Sequence, residues 1–270
     1  MISKGFLKDK NLKIVYLHPH GLGDLILSMP SLEYIMGRDS NFGLIVKDAI
    51  YDSGFFKSYP YKERIFSGCS CIWDRLQIVK SFKNIDKMVE DIKIIGIDVF
   101  YLKFNKNIDR RLQINKGLSK YIGMDIPFDD RVHGKIYVED KDIRWAQSNI
   151  SSGVFFHSYS ESGFKSILPK KLKKMTGLKD TPLFIPTIGD NINLNFAAQK
   201  ISKVNIVIDS VYMHSSAAMA KDIDLLFVSF KVKKFFQTLK PKNININKII
   251  YGNLFDALNS FLFYRFKKLK

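Results

Sequence analysis

Cysteine is nearly absent from this chain. Cys69 and Cys71 are the two in 270 residues, and they sit one residue apart. That spacing cannot supply the ligands of a structural zinc site, and it offers no disulfide scaffold. Both are expected to be plain thiols. Long apolar runs are missing too: none approaches the ~18–20 residues that a membrane span needs. The N-terminal stretch MISKGFLKDKNLKIVYLH has basic residues but no apolar segment and no small-residue cleavage site. A cytoplasmic protein is expected. Acid is scarce, with 26 Asp and Glu against 43 Lys and Arg, a net charge of +17. Such a balance favours polyanions: nucleic acid, anionic lipid or phosphorylated substrates. No helix-turn-helix, zinc finger or RNA-binding aromatic motif is present, so nucleic acid is the lesser choice. No D-x-D pair follows a strand to hold a divalent metal, and none is expected.

What is present is enough apolar residue, 46%, for a core. Apolar runs alternate with helical patterns along the whole length. Leu12–Leu17, Gly43–Lys47, Glu63–Phe66 and Asp98–Phe104 read as strands of a first half. Helices are expected at Asp24–Met36, in two pieces over Trp73–Ile95, and at Ile108–Ile122. Pro30 should kink the first helix or delay its start. Asp125–Gly134 is a polar connector, and Lys135–Asn149 leads into a second half. There the strands are Gly153–Ser158, Leu183–Thr187, Val204–Ile208 and Asp224–Val228, with helices at Pro169–Thr176, Asn193–Ser202 and after Asp209. This alternation argues for α/β architecture with doubly wound parallel sheets. The expected division is residues 1–134, residues 135–252, and a basic amphipathic helix within 253–270. The apolar face of that last helix, Leu258, Phe261, Leu262 and Phe266, is expected to dock on the folded body, with an anionic membrane surface as the alternative.

One strand–turn–helix unit carries most chemistry. Val204–Ile208 runs into Asp209 and Ser210, and a small-residue helix with His214 in its first turn follows. A helix N-terminus offers unpaired N–H groups and partial positive charge, which suits phosphate. Ser210 can cap that helix or contact a ligand oxygen. Near the other end, His18, His20 and Gly23 form a loop after the first strand, and Asp24 opens the next helix. As a plain structural residue, Asp24 would be a helix-capping acid.

Three pieces resemble glycosyltransferase family 9, the heptosyltransferase-like enzymes. Asp209-Ser210-Val211-Tyr212-Met213-His214-Ser215-Ser216-Ala217-Ala218 is similar to the family's D-S/T-G-x-x-H-x-A-A-A. Gly23 to Leu32 is similar to G-D-x5-P-x-L. His157-Ser158 through Lys165 to Pro169 resembles the strand–loop that places a lysine before a helix. The resemblance implies a GT-B fold, two Rossmann-like domains facing a central cleft: an acceptor side and a nucleotide-sugar donor side. It implies metal-independent, inverting transfer to a cell-envelope glycan or glycolipid at the inner face of a bacterial membrane. Asp24 would be the general base, with His18 and His20 as second candidates. Lys165, Asp209, Ser210 and His214 would hold the donor phosphates and sugar, with Ser160 and Ser162 adding hydroxyls. His18, His20 and Gly23 would lie on the acceptor side. No cofactor beyond the nucleotide sugar is implied. Asp24 and Asp209 should then confront each other over the gap. The family's glycine is Val211 here, and a β-branched residue is expected to crowd the diphosphate site. The competing expectation is a non-catalytic GT-B-like protein that binds anionic glycan, lipid or nucleic acid through its basic surface.

Overall fold

The computed structural model describes residues 11–68, 85–87, 89–90, 92–94, 96–105, 108–150, 153–159, 166–178, 181–186, 191–230, 232–256 and 258–259. Strands β1 (Ile14–Leu17), β2 (Phe42–Val46), β3 (Ile65–Ser67) and β4 (Asp98–Phe100) form one parallel sheet in the order β3-β2-β1-β4. Strands β5 (Val154–Phe156), β6 (Val204–Ile208), β7 (Leu225–Val228) and β8 (Ile249–Tyr251) form a second parallel sheet in that order. Both sheets are covered on their faces, so their strands read as unbroken apolar runs such as FGLIV and LLFV. The chain thus has the expected α/β class with two doubly wound lobes.

The helices are α1 (Leu22–Met36), α2 (Asp48–Tyr51), α3 (Arg110–Ile122), α4 (Asp140–Asn149), α5 (Pro169–Thr176), α6 (Ile192–Ile201) and α7 (Val211–Ala218). Helix α1 buries nearly its whole circumference, from Leu25 to Met36. It packs against α3 of its own lobe and α7 of the other, which is why its sequence lacks a polar stripe. Pro30 lies inside α1 without ending it. The proline removes the donor for the Ile26 carbonyl. Gly134 packs onto that spot: a Cβ there would lie 2.8 Å from Ile26 O and 2.3 Å from Met29 Cβ. Helix α3 starts at Asp109, whose carboxylate accepts from the Arg111 and Leu112 N–H groups.

The connector stays on the first lobe as far as Glu139. Tyr137 meets the Tyr59 ring at 5.5 Å, and Ser58 Oγ donates to Glu139 at 2.5 Å. Helix α4 then packs on α6. The lobes also join through the chain after α2. Ile192 N–H donates to Ser53 O (3.1 Å), Asn193 Nδ2 donates to Gly54 O (2.8 Å), and Phe55 meets Phe196 at 6.2 Å. One apolar core runs through both lobes, from Leu25 and Phe55 to Phe155, Phe196 and Met213.

Three sequence expectations need correction. The Asp98–Phe104 run pairs only as far as Phe100, then leaves the sheet. The Leu183–Thr187 run contributes a single bridge, Phe184 to Phe155. Strand β8 was not expected at all. The helix expected over Trp73–Ile95 falls mostly outside the described residues, as do Cys69 and Cys71. Among the described residues, no helix is long and apolar enough to cross a membrane.

Candidate active site

Ligands of open parallel sheets collect where the strand order reverses, beyond the carboxyl ends of the strands. In the first lobe that point lies between β1 and β4. In the second it lies between β5 and β6, because Phe184 bridges the outer side of β5. The loops after these strands carry the polar residues, and the two points approach each other through α1 and α7. A Cβ on Gly23 would lie 3.0 Å from His214 Cδ2 and 3.6 Å from the Val211 Cα. Glycine at 23 is what lets the first turn of α1 rest on the first turn of α7.

On the first lobe a stack of side chains aims at Asp24. Tyr16 Oη lies 3.3 Å from His18 Nδ1. The His20 ring is stacked on Phe104 at 4.1 Å, and its Nε2–H donates to Leu102 O at 2.9 Å. The Arg110 guanidinium covers the other ring contact, 4.3 Å from the Phe104 centroid. Arg110 Nη1 donates to Asp24 Oδ1 at 2.8 Å. Asp24 remains 29% exposed. Its Oδ2 makes no hydrogen bond among the described residues, so one carboxylate oxygen is held and the other is open. His18 is wholly buried, and burial first, then His20, keep its pKa well below the ordinary imidazole value. His20 is shifted the same way, again first by burial. Both rings are therefore neutral supports at pH 7 rather than charged groups.

On the second lobe Ser210 caps α7, accepting from Tyr212 N–H at 3.4 Å. Its own hydroxyl lies 3.2 Å from His157 Nδ1. Burial holds His157 down at a pKa of about 3, so the ring is neutral, and one member of this pair donates to the other according to the imidazole tautomer. Ser210 is thereby fixed with its oxygen at the mouth of the helix. His214 is buried against Gly23. A polar network anchors α7 from behind: Gln199 Nε2 donates to Tyr212 O (2.8 Å) and to Ser216 Oγ (2.8 Å), and Asn205 Nδ2 donates to Ser216 Oγ (2.9 Å). Ser215 and Ser216 of α7 spend their hydroxyls on this network.

One expectation is overturned here. Asp209 does not confront Asp24 over a gap. It is 2% exposed, and its carboxylate accepts from the Ser229 N–H (3.0 Å) and Oγ (3.4 Å), tying the end of β6 to the end of β7. Val211 sits as the first residue of α7 in helical conformation, and among the described residues the non-glycine ones with positive φ are Asn11 and Ala220, so the turn itself needs no glycine at 211. Of the remaining expected residues, Asp24, Gly23, Ser210 and His214 are brought together. His18 and His20 support them from below. Lys165, Ser160 and Ser162 lie outside the described residues. Arg110 and Phe104 were missed. The acid-then-arginine start of a helix, Asp109-Arg110, was the one available hint.

No protein-family model matches the chain, and no curated protein matches it in sequence. Solved structures do. A family 9 glycosyl transferase from Veillonella parvula DSM 2008 aligns with 93% of this chain and 91% of its own, at 11% identity and a TM-score of 0.56. E. coli ADP-heptose lps heptosyltransferase II aligns with 94% of this chain and 99% of its own, at 12% identity and a TM-score of 0.56. E. coli heptosyltransferase WaaC with ADP-2-deoxy-2-fluoro heptose gives 94% and 99%, 9% identity and 0.51. With two parallel four-stranded sheets in one chain and near-complete coverage on both sides, the protein has the GT-B fold of these glycosyltransferases.

Proposed function

We propose that the chain is a glycosyltransferase, moving a sugar from a nucleotide-sugar donor to a cell-envelope glycan or glycolipid. The observation that carries this is the half-held carboxylate of Asp24 beside the N-terminus of α7, in a fold shared with heptosyltransferases. The neighbours' own ligands, ADP-heptose and its fluoro analogue, support a nucleoside diphosphate sugar as donor. Asp24 Oδ2 takes the proton of the acceptor hydroxyl as that oxygen bonds to the sugar carbon. The bond to the diphosphate breaks on the opposite face, and the electron pair leaves with the phosphate. Inversion follows from that geometry. The N–H groups at the start of α7, and the Ser210 hydroxyl when His157 is the donor of their pair, would meet the departing charge as donors. Lys165 would add a point charge and Ser160 a hydroxyl. Asp209, through Ser229, sets the end of β6 at the donor site. The proposal includes transfer without a metal, so EDTA should leave the rate unchanged. It also includes work at the cytoplasmic face of a membrane, where such acceptors are presented.

Ser210→Asp is the discriminating test. Aspartate is as good a helix cap as serine, so the fold should persist. Its negative charge would repel a diphosphate from the helix N-terminus. The wild type should show saturable calorimetric binding of ADP or an ADP-sugar, and Ser210→Asp should lose it by at least about tenfold. Wild-type protein with no response to any nucleotide diphosphate, but with salt-sensitive binding to polyanions, would establish the non-catalytic reading instead.

A further inference from the structure

The chain after β8 begins a helical turn whose apolar side chains face outward. Asn253 and Asp256 form a reciprocal capping box: Asp256 N–H donates to Asn253 Oδ1 at 2.9 Å, and Asn253 N–H to Asp256 Oδ2 at 3.3 Å. Asp256 is turned inward and paired with Lys171 of α5. The turn is therefore fixed at its start and fastened to the body. Leu254 (54%), Phe255 (72%) and Leu258 (44%) are left exposed, beside an exposed Tyr251. Positions 254 and 258, and 255 and 258, share one helix face. Leu258 therefore does not dock on the protein; Phe261, Leu262 and Phe266, the rest of the expected apolar face, lie outside the described residues.

We propose that this face is a docking surface for a bilayer with anionic headgroups. The charge around it fits. No acid occurs between Leu225 and Phe255, a stretch holding six lysines, and none occurs between Lys165 and Lys179, which holds six more. Lys170, Lys171 and Lys174 of α5 are exposed next to the Lys171–Asp256 pair. Exposed apolar side chains beside the lysines of α5 match an interface of acyl chains and phosphates. A second copy of the chain would bring another net +17 against the same lysines. Nucleic acid would satisfy the lysines but gives Leu254 and Leu258 nothing to bury against. The placement also suits the site. All four strands of the second sheet are parallel, so the end of β8 lies on the same edge as the end of β6, about 10 Å away across one intervening strand. The bilayer would meet the protein beside Ser210.

The surface stands independently of the transferase reading, and the test reads vesicles alone. Full-length protein is sedimented with vesicles of phosphatidylcholine, with and without phosphatidylglycerol. Binding is expected only to the anionic vesicles. Phe255→Asp with Leu258→Asp should lower it about tenfold or more. Lys170→Gln and Lys174→Gln should each lower it about fivefold. Circular dichroism confirms that the variants remain folded. Three results would overturn the proposal: equal binding to neutral vesicles, anionic binding that the double aspartate leaves intact, or no vesicle binding. Self-association or RNA binding in place of vesicle binding counts with the last.

Discussion

Asp24→Asn is expected to bind donor as the wild type does and to turn over about 10²–10⁴-fold more slowly, the usual worth of a positioned general base. The substitution isolates the chemistry because it preserves the surroundings. The asparagine oxygen can still accept from Arg110 Nη1, now 2.8 Å from Oδ1. The Ser28 Oγ bond goes to the Asp24 main-chain oxygen and is untouched. What the amide loses is the open oxygen that can take a proton. Steady-state rates with calorimetric donor affinity on the same protein check it. Turnover within a few-fold of wild type would remove Asp24 from the reaction and leave the His20–Phe104–Arg110 stack as mere packing.

Acid should unfold this protein early. Burial lowers the pKa of His157 to about 3 and of His133 to about 4, the latter helped by the Arg111 guanidinium that donates to its Nε2. His18 and His20 are shifted the same way. In the unfolded chain each ring returns to about 6.5. Below that value the unfolded chain takes up protons that the folded chain refuses, so falling pH drives unfolding until the folded rings titrate. Their contribution is whole above about pH 6.5 and drains toward pH 4 and 3. His133 and His157 alone should cost on the order of 4 kcal/mol between pH 7 and pH 5, against the 5–15 kcal/mol typical of a domain. Glu33 opposes this in part. Burial pushes its carboxyl up to about 7, so its penalty grows as pH rises from its ordinary range to about 7. Urea midpoints at pH 7.5 and pH 5 of the Glu33→Gln variant, which removes that offset, decide the matter, and equal midpoints there would show that the rings are not held neutral.

The β6–α7 unit was legible because everything that forms it is local: a five-residue run, apolar but for Asn205, then a serine that caps. The same holds for α3 and α5, where helical spacing fixes the element. Elements were misjudged where tertiary contacts decide. Residues 101–104 are as apolar as a strand, but Phe104 leaves the sheet to stack between His20 and Arg110. Strand β8 is three residues long between asparagine-rich turns, too short for any period to register. Asp209 is the instructive case in the site. An acid at a strand end can face a crevice or the end of the next strand, and the register of β7, which brings Ser229 N–H beside it, settles which. Arg110 escaped notice because its partner lies 86 residues earlier in the chain.

The unbroken core between the lobes has a mechanical consequence. Swinging the lobes apart would wet Met213, Phe196 and Phe55 at about 25 cal/mol for every Å² uncovered, and would tear the Ser53 and Gly54 links as well. A wide hinge is therefore a costly mode for this molecule. For the transferase proposed above, entry and release of substrates would fall to short segments at the rim, and the relative pose of Asp24 and Ser210 would stay constant.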